Sequence, residues 1–170
     1  LVTDAKRFAS YMSLSTINIL LDEQDFQEQS VPDKYILLGA FKLRELVFVN
    51  EQNVSTNIEW DGEDTNRSHV LICDETGGTG CGRVKITDTT AKLERICVQK
   101  QKRGNGIGSD VVAALEAIAT NQTDIDTFTL SAQKDTIDFY IKNGYVVVSE
   151  PYDEAGIPHV DMKKQHSNTA

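Results

Sequence analysis

The sequence predicts a mixed α/β fold of α+β character, with a central mixed sheet of about seven strands and helices flanking it. Three observations carry this. Between Ser68 and Val98, short runs rich in β-branched residues alternate with tight turns, the pattern of an antiparallel meander. The run Leu93 to Val98 is followed by a glycine-rich loop, a helical pattern and a further strand, Phe128 to Ala132, and this βαβ order requires two parallel strands. Apolar residues at three-to-four spacing occur both before and after this unit, which supplies helices to cover the sheet.

In chain order, residues 1 to 12 mix Asp4, Lys6, Arg7 and Ser10 with scattered apolar side chains, so residues 1–14 are expected to form a peripheral arm or helix. Ser15 to Leu21 is β-branched and partly alternating, as in a strand. An acidic, Gln-rich connection from Asp22 to Asp33 follows. From Asp33 to Phe48, Ile36, Leu37, Ala40, Phe41, Leu43, Leu46 and Val47 mark an amphipathic helix with Asp33 as its cap. Strands are expected at His69 to Cys73, Gly82 to Thr87 and Lys92 to Val98, with Gly77-Gly78 as a turn. Val111, Val112, Leu115, Ile118 and Ala119 line one face of the next helix, and Asn121-Gln-Thr-Asp stops it. A helix from Lys134 to Asn143 ends on Gly144. Tyr145 to Ser149 and His159 to Lys163 are the last strands, with a loop from Pro151 to Pro158 and a frayed tail from 164 to 170.

The stretch Gln101-Lys-Arg-Gly104-Asn-Gly106-Ile-Gly108 joins strand to helix. The first turn of a helix leaves N–H groups unpaired, and their partial positive charge favours an anion where no Cβ keeps it away. Arg103 adds a full charge. Ser109 stands where a dinucleotide fingerprint needs glycine, and the Gly-Lys-Ser/Thr of a Walker loop is missing. A phosphate cradle of another kind and a glycine turn capping a helix both fit the residues.

A chain of 170 residues with 39% hydrophobic content suits a single domain spanning 1–170. Its 26 acidic against 17 basic residues give a formal charge of −9, which disfavours nucleic acid and anionic membranes as partners. The same charge favours a cationic acceptor, and equally suits a solubility-driven surface. Cys73, Cys81 and Cys97 are odd in number and lack metal-ligand spacing, so no metal and a reducing, cytoplasmic setting are expected. No apolar run approaches the roughly 20 residues of a membrane helix, and no secretory signal is evident. Leu1 in place of Met is read as a trimmed start.

Gln101-x-x-Gly104-x-Gly106 resembles the Gln/Arg-x-x-Gly-x-Gly/Ala signature of the GCN5-related N-acetyltransferases, and Phe139-Tyr140-x-x-x-Gly144-Tyr145 is similar to that family's second signature. Leu43-Arg44-x-x-Val47-Phe48-x-x-Glu51-Gln52, the Asp61 and Asp64 pair, His69, and Gly156-Ile-Pro158-His159 resemble its ElaA-like branch over roughly residues 35 to 163. The order of elements agrees. Gln133 and Thr136 depart from the Asn and Ala that many members carry, and the longer Gln133 side chain is expected to make the cofactor bond of the Asn.

The resemblance implies a sheet splayed at an acetyl-CoA site, with acetyl-CoA as co-substrate. It places the pantetheine arm along the backbone of Ile96, Cys97 and Val98, with the Val98 N–H toward the thioester carbonyl. It puts the pyrophosphate on Arg103, Gly104, Asn105, Gly106, Ile107, Gly108 and Ser109. Tyr140 is then the general acid for the leaving thiolate, and Glu51 either the general base or a ligand of the acceptor cation. Asp61, Asp64, His69 and His159 are candidate acceptor-binding residues. Either histidine could serve as base or proton relay or simply be hydrogen-bonded structure, and Asp61 with Asp64 could instead organise their loop. Cys97 is read as packing. The implied activity is direct acetyl transfer, in a ternary complex, to a primary amine of a small molecule, by a monomer or homodimer. A non-catalytic CoA-binding sensor on the same fold is the alternative.

Overall fold

The computed structural model describes residues 10–13, 16–18 and 33–166. Among the described residues nine strands form one sheet: β1 (Ser10–Ser13), β2 (Thr16–Asn18), β3 (Ser68–Asp74), β4 (Gly77–Thr87), β5 (Thr90–Val98), β6 (Thr127–Gln133), β7 (Val146–Val147), β8 (Tyr152–Glu154) and β9 (Ile157–Gln165). Their order is β2-β1-β3-β4-β5-β6-β9-β7, with β8 also on β9. Every pairing is antiparallel except β5 with β6, the parallel pair that the βαβ pattern requires.

Several expectations are corrected. Residues 10–13 form strand β1 against β3, so this part of the expected arm belongs to the sheet. The loop expected from 151 to 158 contains β8 and the turn Ala155–Gly156, which fold back on β9 as a hairpin. The tail does not fray at 164. Lys164 Nζ binds Glu116 at 2.7 Å, and the His166 N–H donates to the Asp126 carbonyl at 2.8 Å. Residues 1–9, 14–15, 19–32 and 167–170, including most of the acidic connection, lie outside the described residues.

Four helices accompany the sheet among the described residues: α1 (Asp33–Arg44), α2 (Thr56–Glu59), α3 (Ile107–Gln122) and α4 (Ile137–Lys142). The heptad-like spacing of Ile36, Ala40, Leu43 and Val47 puts all four on the buried side of α1 and its extension, against Leu71, Cys81 and Cys97. Leu46, expected on that face, is exposed. α3 buries Val111, Val112, Leu115, Ile118 and Ala119 as predicted, on the other face of the sheet with Val84, Leu93 and Phe128. Truncating a residue such as Leu115 to Ala in such packing costs about 2–5 kcal/mol. Gly80 and Gly82 of β4 let α3 approach closely, since a Cβ on Gly80 would lie 2.5 Å from Ile107 Cγ2.

Two irregularities position the site. α1 continues as a π-helical stretch, Glu45–Glu51, three residues beyond the predicted end at Phe48, and so carries Glu51 and Gln52 forward. In β5, Cys97 pairs with Cys81 and Glu94 with Arg83, so Arg95 and Ile96 together oppose Gly82. This is a β-bulge, with Arg95 at φ 54° in the left-handed region. β5 and β6 pair only at Thr90–Thr127, Ala91–Phe128 and Lys92–Thr129, and beyond these the bulged strand leads away and a wedge opens.

Candidate active site

The wedge is a cleft of about 1010 Å³. One lip is the end of β5 with the loop that follows, and the other is the end of β6 with α4. Ile96, Cys97 and Val98 line the first lip. The Gln99 N–H donates to Thr79, and Cys81 faces Cys97 two residues back in the same register. The alternation of an antiparallel ladder therefore turns the Val98 N–H and carbonyl away from β4, toward the space that β6 has left.

The glycine loop closes one end. Gly104 at φ 77° and Gly106 at φ 84° take left-handed conformations that no β-branched residue would hold cheaply, and Gly106 caps α3. Gly104, Gly106, Ile107, Gly108 and Ser109 all line the cleft with Arg103. A Cβ on Gly104 would meet nothing within 4 Å, so the loop is bare toward the cleft. Asn105, expected in the cradle, turns its side chain inward instead. Its Nδ2 donates to the Lys102 and Arg103 carbonyls, each at 3.2 Å, and braces the loop from behind.

Residues 51 and 52 touch both lips. Arg103 donates to Glu51 through both terminal nitrogens, at 2.7 and 2.9 Å, and through Nε to the Val98 carbonyl at 3.1 Å. Gln52 and Gln133 exchange amide hydrogen bonds at 2.8 and 3.3 Å, so Gln133 faces Gln52 and not an open site. The Arg103 guanidinium holds the Glu51 carboxyl below its ordinary range. Both Glu51 oxygens are thus engaged by Arg103, and a carboxylate so held is a poor proton acceptor until the pair opens.

Tyr140 lies deep on the second lip, 8% exposed, its ring edge-on to Phe139 and Tyr145. Its hydroxyl makes no hydrogen bond among the described residues, whereas the Tyr145 hydroxyl donates to Glu116 at 2.8 Å. Burial, with a smaller contribution from Cys97, pushes the Tyr140 pKa up. The phenol is thus neutral and able to donate. Cys97 packs with its Sγ 3.5 Å from that of Cys81, and this contact and burial raise its thiol pKa well above the usual value. Such a thiol is a weak nucleophile.

The wall beyond is a network of charges. Asp64 Oδ1 accepts from Arg44 at 2.6 Å and Arg83 at 2.9 Å, while Arg44 also holds Glu59. Arg83 binds Asp61 and Glu94, and Arg95 binds Asp61 and the Ile58 carbonyl. Burial raises the Asp64 pKa less than the two guanidiniums lower it, and the net shift is downward. His69 donates from Nε2 to the Asp64 carbonyl at 2.9 Å, and burial lowers its pKa. Asp64 and His69 therefore stand behind the wall, which corrects their assignment to acceptor binding. Asp61 lines the cleft, but its carboxylate is taken by Arg83 and Arg95.

His159 does line the cleft, with Ser131 and Glu154. Of the residues the sequence singled out, the cleft gathers Tyr140, Glu51, Ile96, Cys97, Val98, Arg103, the glycine loop, Gln133, Asp61 and His159. Arg83 and Arg95 were not foreseen, and Gln52, part of the Glu51-Gln52 motif, was given no role. A charge inside the strand Gly82 to Thr87 signals a buried Arg83 that needs acids, but nothing in the residue types announces the bulge at Arg95.

The sequence profile of the Acetyltransferase (GNAT) domain matches residues 24–166. The chain belongs to the GNAT acetyltransferase family. It is 42% identical over 129 residues to the uncharacterized N-acetyltransferase YjcF of Bacillus subtilis, covering 75% of this chain and 91% of that one. It is 29% identical to the protein ElaA of Escherichia coli over 153 residues, 86% of this chain and 97% of the other. The crystal structure of E. coli ElaA superposes with a TM-score of 0.67 over 81% of this chain and 93% of that one. An aminoglycoside 6'-N-acetyltransferase crystallised with coenzyme A shares the fold at 18% identity and a TM-score of 0.59, over 83% and 95% of the two chains.

This GNAT protein is an acyl-CoA-dependent N-acetyltransferase of the ElaA-like branch, and acetyl-CoA is its co-substrate. The residues present fit that molecule: a glycine loop bare toward the cleft at a helix N-terminus, with Arg103 beside it and a strand edge released from pairing. Among the described residues no helix is long and apolar enough to cross a membrane, and none of the His, Cys, Asp and Glu side chains cluster as a metal site.

Proposed function

We propose that the enzyme acetylates a primary amine of a small molecule by direct transfer within a ternary complex. The observation that carries this is Tyr140: a buried phenol, kept neutral, with a hydroxyl that has no hydrogen-bond partner among the described residues, on the wall of a cleft that fits acetyl-CoA. A phenol in that position is an acid waiting for a base to form beside it.

Acetyl-CoA supplies an activated acyl group whose thiolate needs a proton as it leaves. Tyr140 gives that proton from its hydroxyl. The backbone N–H of Val98, turned into the wedge, holds the carbonyl oxygen as charge develops there. The N–H groups of residues 104–109 and the guanidinium of Arg103 hold phosphate oxygens. Direct transfer is favoured over a covalent enzyme because the Cys97 thiol is buried, shares its sulfur contact with Cys81, and has a raised pKa. A cationic acceptor is favoured by Glu154 on the cleft wall and by the chain's net charge of −9. The volume of the cleft is of the order that takes small ligands, which lie at about 300–1,000 Å³.

The test is thiol release from acetyl-CoA with a panel of amines comprising spermidine, free lysine, glucosamine, kanamycin and a short peptide with a free N-terminus. Release that depends on spermidine, lysine, glucosamine or kanamycin and yields the N-acetyl product supports the reading. Tight acetyl-CoA binding with no amine-dependent release from any of them would make the protein a sensor, and preference for the peptide would overturn the small-molecule acceptor.

A further inference from the structure

His159 sits near the start of β9, opposite Gln133 of β6, where the wedge is open. It is 9% exposed, yet it lines the cleft. Its Nδ1 lies 2.8 Å from the Ile157 carbonyl oxygen. A carbonyl can only accept, so Nδ1 carries the hydrogen, and in the neutral ring Nε2 must be the unprotonated nitrogen. Nε2 has no hydrogen-bond partner among the described residues. Tyr152 stacks on the ring, with centroids 6.2 Å apart and planes at 25°, and its hydroxyl is fixed by Asp161 at 2.8 Å. Asp161 is fixed in turn by Ser131 at 3.0 Å and by the Ser149 hydroxyl on its backbone N–H. The tautomer is thus set by the backbone and the ring plane by Tyr152.

We infer that His159 is the general base, taking a proton at Nε2 from the acceptor ammonium, directly or through one water. This rests on the reading of the enzyme as an amine acetyltransferase and names the group that makes the amine nucleophilic. The proton leaves the nitrogen of the acceptor for Nε2, giving an imidazolium that keeps its Nδ1–H bond to Ile157. The freed lone pair forms the new bond to the acyl carbon, the C–S bond breaks, the thiolate takes its proton from Tyr140, and the second proton that the nitrogen sheds as it becomes the amide restores the Tyr140 phenol. His159 is regenerated by loss of its proton to water. The charged residues of the cleft wall are mostly paired with one another, Arg83 with Asp61 and Glu94, Arg95 with Glu59 and Asp61, and Arg103 with Glu51, while Lys92, Lys102, Asp135 and Glu154 also line it. Glu51 is bound to Arg103 at both oxygens, whereas His159 Nε2 has no partner to displace among the described residues.

Two measurements test this, and they fail separately from the amine reading. Nitrogen NMR of histidine-labelled enzyme without acceptor is expected to show His159 as the Nδ1–H tautomer with an unprotonated Nε2; an Nε2–H tautomer overturns the proposal whether or not any amine turns over. In kinetics with spermidine, or the fastest amine of the panel, His159→Gln is expected to lower kcat about 100-fold or more at neutral pH. It should abolish the acidic limb of the kcat/KM profile and leave the Kd for acetyl-CoA within about twofold. Imidazole added to His159→Ala should restore part of the rate. A His159→Gln enzyme that keeps wild-type kcat and the acidic limb overturns the assignment, even if the protein proves a good amine acetyltransferase.

Discussion

Arg103 and Glu51 meet as a two-pronged ion pair, Nη1 to Oε1 at 2.7 Å and Nη2 to Oε2 at 2.9 Å, joining the glycine loop to the end of the π-helical stretch. The pair competes with the phosphate that Arg103 is placed to bind. Both side chains are partly exposed, at 42% and 28%, so breaking the pair costs only about 0–1 kcal/mol. Glu51→Gln should therefore tighten coenzyme A binding by no more than about fivefold. Arg103→Ala should weaken it by about tenfold or more, the worth of a hydrogen bond to a charged group. Calorimetric titration with coenzyme A at fixed salt distinguishes these, and weaker binding by Glu51→Gln would mean that the carboxylate assists the cofactor site.

Tyr140 and Tyr145 are five residues apart, both buried, and differ in one respect: the hydroxyl of Tyr145 is bonded to Glu116 and that of Tyr140 is not. Tyr140→Phe removes no internal hydrogen bond, so its melting temperature should stay within a degree or two while kcat falls about 100-fold. Tyr145→Phe should do the reverse, losing about 1 kcal/mol of stability with kcat intact. Equal kcat values for Tyr140→Phe and wild type would remove Tyr140 from the acid role.

The contrast between these residues shows what the sequence could reveal. Periodicity identified the buried faces of α1 and α3, because apolar residues at three-to-four spacing have one way to leave water. Order along the chain made β5 and β6 parallel, because a crossover helix permits little else. β1 and β8 are too short to show a pattern, and only their partners β3 and β9 define them. Asp64 read as available for an acceptor since its partners Arg44 and Arg83 lie 20 and 19 positions away, and the bond from His69 to the Asp64 carbonyl, five positions back, carries no signature in residue type. Gln133 looked ready for a cofactor until Gln52, 81 positions away, was seen to face it.

Gly80 tests the packing that holds the cradle in place. A Cβ there would lie 2.5 Å from Ile107 Cγ2 and 3.2 Å from Val111 Cγ2, both on the first turns of α3. Gly80→Ala should destabilise the enzyme by about 1–3 kcal/mol, as overpacking does. Because Ile107 also lines the cleft, the coenzyme A Kd should rise with it. Adding Ile107→Ala should recover part of the loss, so the two changes should be non-additive in urea unfolding. Additive losses would show that the clash is relieved elsewhere.

The charge network behind the cleft makes a prediction about acid. The Arg83 guanidinium holds the Asp61 carboxyl well below the usual carboxylate range, and Asp64 is lowered despite its burial. A carboxyl whose folded pKa is depressed binds fewer protons in the native state than in the unfolded one, so its contribution is complete above about pH 4 and is lost as pH falls through the folded value. Glu59 has the opposite sign: burial outweighs Arg44 and raises its pKa, so it opposes folding near neutral pH, and that penalty is already relieved by about pH 4, before this loss begins. With Asp61 and Asp64 depressed in the network and Glu51 and Asp74 depressed outside it, unfolding free energy from urea titrations should drop between about pH 4 and pH 2. Asp61→Asn should flatten that drop while lowering stability near neutral pH. Arg83→Met, which leaves Asp61, Asp64 and Glu94 without their shared partner, should cost about 3–5 kcal/mol at neutral pH and recover part of it in acid, as the stranded carboxylates take up protons. A Arg83→Met protein that loses stability equally at both ends of that range would show that Arg83 acts by packing and not by charge.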